Sequence, residues 1–119
     1  MKSAIAMGIT AAVLAVSPLS SASAKSAYDG AWSLDFATQR GTCSTYHFDV
    51  NITNGVVSHP NLVRFTGRVA PNGQVNASVT VTNKHAAGSG KLKQASGRGT
   101  WTGYDGSDRC SGTWTAQKA

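Results

Sequence analysis

The chain is 119 residues long and basic, with 11 Lys and Arg against 5 acidic residues and a formal net charge of +6. Every acidic residue is Asp, only 13% of the chain is charged, and there are two cysteines. Such a length suits one domain and not two, and no group of Cys and His has zinc-ligand spacing. Outside residues 1–24 no helical period runs long enough to matter.

Residues 1–24 read as a secretory signal. Lys2 provides the basic start, Ala4 to Val16 the apolar run, and Ala22-Ser23-Ala24 a small-residue cleavage site. The apolar run is shorter than the ~20 residues that a membrane-spanning helix needs. Cleavage after Ala24 is expected to leave residues 25–119 as one β domain, located in the periplasm or secreted. In an oxidising compartment Cys43 and Cys110 read as one disulfide, which a domain this small needs as a staple.

Beyond the signal, every segment alternates with the period of a strand. The first places Gly30 and Trp32 on one face with Leu34 and Phe36, and Ser33 and Asp35 on the other. Tyr46, Phe48, Val50 and Ile52 alternate with His47, Asp49 and Asn51. Asn54-Gly55 then predicts a type I′ hairpin, which sets Ile52 opposite Val57. His59-Pro60 ends that short strand.

Val63, Phe65, Gly67 and Val69 follow, with Arg64, Thr66 and Arg68 between them. Pro71-Asn72-Gly73 suits a three-residue loop with Gly73 left-handed. That loop predicts Val69 opposite Val75, Gly67 opposite Ala77, Phe65 opposite Val79 and Val63 opposite Val81. The reverse face is then polar throughout: Arg68–Asn76, Thr66–Ser78 and Arg64–Thr80. Ala86, Gly88, Gly90 and Leu92 share the next face.

Two Gly-x-Trp segments close the chain, Gly99-Thr100-Trp101 and Gly112-Thr113-Trp114. Pairing Trp101 with Gly112 and Trp114 with Gly99 lays each indole across a residue that has no side chain to obstruct it. About eight short strands joined by tight turns predict an all-β up-and-down meander. A closed barrel is favoured over a two-sheet sandwich. Closure brings the end of the first strand, followed by Cys43, to the start of the last, which begins at Cys110.

The stretches Tyr28-Asp29-Gly30-Ala31-Trp32, Gly67 to Gly73 and Cys110 to Trp114 resemble a group of small exported proteins of alphaproteobacteria known only as hypothetical proteins. That resemblance implies no activity. At the level of fold, the Gly-x-Trp and single disulfide are similar to lipocalin-like barrels and to periplasmic barrel-type inhibitors of metalloproteases.

His47 and Asp49 face the polar side two residues apart, a spacing that any alternating strand produces, so no catalytic residue is assigned. The three histidines are scattered, and no metal or cofactor is expected. The glycines lack the strand-to-helix turn that a phosphate cradle requires. Arg64, Arg68 and Arg98, set among Thr, Ser and Asn, form a candidate anion-binding face. No aromatics interleave with them, which argues against single-stranded nucleic acid. The expectation is a monomeric, non-enzymatic binding or accessory module. Its partner is an anionic polysaccharide or surface, or an exported protein. One alternative is an inhibitor of an exported enzyme, with Tyr104 to Asp108 or Lys25 to Tyr28 entering a cleft. A small hydrolase ranks last.

Overall fold

A computed structural model describes residues 26–62 and 64–119. The expected signal segment and the Val63–Val81 pair lie outside the described residues. Eight antiparallel strands run in chain order: β1 (Gly30–Arg40), β2 (Tyr46–Thr53), β3 (Val56–Ser58), β4 (Phe65–Val69), β5 (Gln74–Val81), β6 (Lys84–Leu92), β7 (Ser96–Asp105) and β8 (Asp108–Lys118). Each pairs with the next, and β8 returns to pair with β1, so the sheet closes into a barrel. Among the described residues, no helix is long and apolar enough to cross a membrane.

The expected registers are present. Ile52 lies opposite Val57 across a turn in which Asn54 and Gly55 both have positive φ, 53° and 78°. This is the backbone of a type I′ hairpin, whose twist matches that of the flanking strands. Val69 faces Val75 and Phe65 faces Val79 across the loop that ends in Gly73, at φ 92°. The β4 ladder stops at Phe65. Arg64 belongs to the preceding turn, although its carbonyl still accepts from the Thr80 amide at 3.3 Å.

Inward-facing residues of all eight strands form one core, with Trp32, Val50, Ile52, Phe65, Leu92, Trp101 and Trp114 among its members. No polar or charged residue is buried among the described residues. One end of the barrel is plugged. Residues 26–29 fold back over it, and the Trp32 indole donates to the Tyr28 carbonyl at 2.7 Å. Asp29 accepts from the Asn54 and Gly55 amides at 2.8 and 3.1 Å, tying this segment to the β2–β3 turn. The opposite end carries the β1–β2 loop, the β5–β6 and β7–β8 turns and the Cys43–Cys110 disulfide, with Cα atoms 6.1 Å apart. The bridge joins the loop after β1 to β8, where closure requires it.

The β1–β8 ladder contains one irregularity. Thr38 opposes Gly112 and Arg40 opposes Ser111, so two residues of β1 advance against one of β8. Such a bulge inverts the phase of the strand beyond it. Trp32, Leu34 and Phe36 face the core, and an unbroken alternation would point Arg40 the same way. The bulge places Arg40 in register with Ser111, on the outer phase of β8 that alternates with the buried Cys110, Gly112 and Trp114.

Candidate functional site

The outward carboxylates of the barrel wall lie on two adjacent strands. On β1 and β2 the wall presents Asp35 and Asp49, and on β2 His47 stands between them. His47 Nδ1 lies 2.8 Å from Asp35 and Nε2 lies 3.0 Å from Asp49. The hydrogen bond to Asp35, aided by the one to Asp49, raises the imidazole pKa above its ordinary 6.5. Both ring nitrogens are therefore committed to carboxylates. Ser33, the neighbouring hydroxyl, donates to Asp49 at 3.1 Å. In this arrangement the ring has no free nitrogen to receive a proton from a nucleophile, as a general base must.

The other two histidines have structural partners. His59 Nδ1 accepts from the Asn61 and Leu62 amides at 3.0 and 3.1 Å, and its ring stacks on Phe65. His85 Nδ1 is 2.9 Å from the Thr80 hydroxyl, and its ring stacks on Tyr104. Among the described residues no cluster of His, Cys, Asp and Glu is arranged to hold a metal ion.

From β4 to β8 the outer face is different in kind. Following the ladders sideways from Arg68 gives Asn76, Ser89, Thr100 and Thr113 in one row. The row toward the plugged end runs Gln74, Lys91, Arg98 and Thr115. The row toward the disulfide end runs Ser78, Ala87, Thr102, Ser111 and, across the bulge, Arg40. The last row runs Thr80, His85, Tyr104 and Arg109. Within β4–β8 no carboxylate occurs in these rows, and carried onto β1 the Arg98 row ends at Asp35, opposite Thr115. Asp105 belongs to the inward phase of β7, at the rim, together with Trp101 and Gly103.

The three arginines expected to share a face are all exposed, but the barrel does not bring them into one cluster. Arg64 and Arg68 are held by the turn before β4 and by β4 itself, whereas Arg98 lies three strands further round on β7, directly opposite Lys91. The cations gathered with Arg98 on the same stretch of sheet are Lys91, Arg109 and Arg40, with hydroxyl side chains between them. Lys91 and Arg109 were legible from the strand phase, since each alternates with buried neighbours. Arg40 was not, because its outward position depends on the bulge.

The two segments considered for insertion into an enzyme cleft are both tied down. Residues 26–29 fold onto the barrel through Asp29 and the Tyr28 carbonyl. At the β7–β8 turn, the Gly106 amide donates to the Asn83 carbonyl at 3.0 Å.

The fold and its disulfide define a small eight-stranded up-and-down β-barrel. Compared with known proteins, the chain matches no family model, no curated protein and no solved structure.

Proposed function

We propose that this protein is an exported, non-enzymatic binding module whose β4–β8 outer face holds an extended anionic polymer, such as an acidic polysaccharide. The observation that carries the reading is the separation of charge. Arg68, Lys91, Arg98 and Arg109 stand among Thr, Ser and Asn on the outer face of β4–β8, with Arg40 adjoining them from the far end of β1, whereas the outward carboxylates Asp35 and Asp49 stand beside His47 on β1 and β2. Guanidinium groups bind carboxylate and sulfate oxygens through paired charge-assisted hydrogen bonds, and short hydroxyl side chains supply neutral ones without blocking approach. From the Lys91–Arg98 row to the Arg109 row is six residues along a strand, about 20 Å at strand rise, so the site suits a chain and not a single ion. Export is supported by the signal-like residues 1–24 and by the disulfide.

The test is retention on a heparin-like column across a salt gradient. Replacing Arg68, Lys91 and Arg98 together by Gln removes three charges while keeping side-chain length and hydrogen bonding. Replacing Lys25, Lys84 and Lys118 by Gln removes the same charge elsewhere. The first variant is expected to elute well before the second. Retention of the parent should weaken as salt passes ~0.15 M, where the screening length falls to about 8 Å. Coincident elution of the two variants would show that retention follows net charge alone and would remove the reading.

A further inference from the structure

At the disulfide end the interior of the barrel is not filled. A pocket of about 260 Å³ opens there, with Phe36, Phe48, Val79, Ala86 and Trp101 among its walls. Below it a void of about 50 Å³, lined almost wholly by apolar side chains, continues into the core. Val81 belongs to the inward phase of β5, yet it remains 38% exposed at the lip.

The same lip carries three polar side chains that all sit on inward phases. Tyr46 extends the series Phe48, Val50 and Ile52 on β2, Lys84 the series Ala86 to Leu92 on β6, and Asp105 the series Trp101 and Gly103 on β7. They converge on one atom. The Tyr46 hydroxyl donates to Asp105 Oδ2 at 3.2 Å, and Lys84 Nζ stands 3.7 Å from that same oxygen. Lys84 Nζ also lies 5.8 Å from the centre of the Tyr46 ring. Among the described residues no hydrogen bond reaches the other oxygen, Oδ1. The turn that presents Val81 and Lys84 is strained as well. Thr82 holds φ 49°, a left-handed conformation that a β-branched residue adopts only when its surroundings impose it.

We infer that this mouth is a binding site for a small neutral molecule with a ring-sized apolar body and one head group that both donates and accepts, such as an aromatic alcohol. The volume is below the 300 Å³ or so at which drug-sized pockets begin, so a single ring or short chain fits and a long lipid does not. The head-group chemistry follows from the lip. Lys84 and Asp105 cancel in charge, and an anionic head would meet Asp105 while a cationic head would meet Lys84. A hydroxyl donates to Oδ1 of Asp105 and accepts from Lys84, leaving neither charge opposed. The phenol of Tyr46 is kept protonated by burial, and secondarily by its bond to Asp105, so it remains a donor. This site is inside the barrel and independent of the outer cationic face.

The experiment is a titration of the full chain, disulfide intact, with benzyl alcohol, toluene, benzoate and benzylamine, followed by amide and indole NMR shifts. Benzyl alcohol is expected to produce saturable shifts at Val81, Lys84, Asp105 and the Trp101 indole, with affinity about tenfold above benzoate and benzylamine. Toluene should reach the same residues more weakly. Asp105→Asn leaves Lys84 unopposed and should reverse the order, so that benzoate binds better than benzyl alcohol. Ala86→Phe fills the pocket from its wall and should abolish the shifts. Should that variant not fold, the Asp105→Asn reversal decides alone. Shifts that do not saturate, equal affinities for alcohol, acid and amine, or an unchanged order in Asp105→Asn would each overturn the inference.

Discussion

Trp101 and Trp114 reach out of the β7–β8 hairpin in opposite directions, each from a position paired with a glycine of the other strand. Trp101, on β7, is paired with Gly112 of β8, and its indole donates to the Ala37 carbonyl of β1 at 3.1 Å. Trp114, on β8, crosses Gly99 of β7, and its indole donates to the Ser89 carbonyl of β6 at 3.2 Å. Each tryptophan thus skips a strand and fastens the β7–β8 hairpin to a neighbour on its far side. A buried indole N–H without a partner would be costly, so the glycines matter as much for letting the ring reach a carbonyl as for letting it pack.

Substitution at either glycine is therefore expected to be destabilising. A Cβ on Gly99 would meet the Ser89 carbonyl and, at 2.7 Å, Cε2 of Trp114; one on Gly112 would meet the Ala37 carbonyl. The obstruction is largely backbone, which cannot rotate away. Gly99→Val and Gly112→Val should each lose about 3 kcal/mol, the upper end of ordinary overpacking, despite the better strand propensity of Val. Urea unfolding curves measure this, and a variant as stable as the parent would refute the close approach of the neighbouring backbone at that glycine.

The disulfide should contribute a large share of stability. Cys43 and Cys110 are 67 residues apart in sequence, and the chain-entropy model gives about 4 kcal/mol for closing such a loop. Simultaneous Cys43→Ser and Cys110→Ser replacement should lower the melting temperature by tens of degrees or prevent folding. A melting temperature unchanged by replacement or by reductant would show that barrel closure does not depend on the bridge.

His47 is expected to titrate above 6.5, and Asp35→Asn should lower its pKa more than Asp49→Asn does, because the Asp35 hydrogen bond is the leading cause. The sign of the linked stability follows. A pKa raised in the folded state contributes stability that is complete below 6.5 and is lost as pH rises through the folded value. The group is exposed, so the contribution is small. A pH titration of the imidazole carbon proton by NMR reads the shift directly, and a value at or below 6.5 would contradict the double carboxylate contact.

Removing Asp29 should loosen the plugged end. Partial desolvation pushes its carboxyl up, but hydrogen bonds from the Asn54 amide, the Ser26 hydroxyl and the Gly55 amide outweigh this and hold the pKa below the usual 3.8. The stability linked to it is present above 3.8 and is lost as pH falls through the lower folded value. Asp29→Ala should speed hydrogen exchange at the Asn54 and Gly55 amides while leaving the β7–β8 ladder protected. Unaltered exchange at those amides would argue against the tie.

Registers set by a short turn could be read directly from the residues. Asn54-Gly55 fixed Ile52 against Val57, and Pro71-Asn72-Gly73 fixed Val69 against Val75, because turn geometry and the apolar pattern agree at both. Relationships that pass through the β1–β2 loop or across the closure were not legible. Asp35 meets His47 only once the loop after Arg40 has chosen a register that no turn motif specifies. Arg40 faces out only because of a bulge, and bulges leave no mark in an alternating sequence. Tyr46, Lys84 and Asp105 come from three strands, two of them neighbours, and meet at a rim that exists only after the barrel closes. Of the three only Tyr46 falls in an alternation read from the residues; Lys84 and Asp105 fall at turns there, and where the three converge was not visible.

The pairing of β1 with β8 also sets an order of events during folding. The other ladders join strands adjacent in sequence and close over short loops, whereas Trp32 must find Lys118 and Phe36 must find Trp114 from opposite ends of the domain. Loop-closure entropy makes that last contact slow, as in other proteins dominated by distant pairings. Until it forms, the meander has two open edges, and one of them displays the Trp32, Leu34 and Phe36 face. Open edges of this kind pair with other chains. Oxidation of Cys43 with Cys110 would hold those edges together while the ladder zips, so an oxidising catalyst present during refolding should suppress aggregation more than it accelerates formation of the local hairpins.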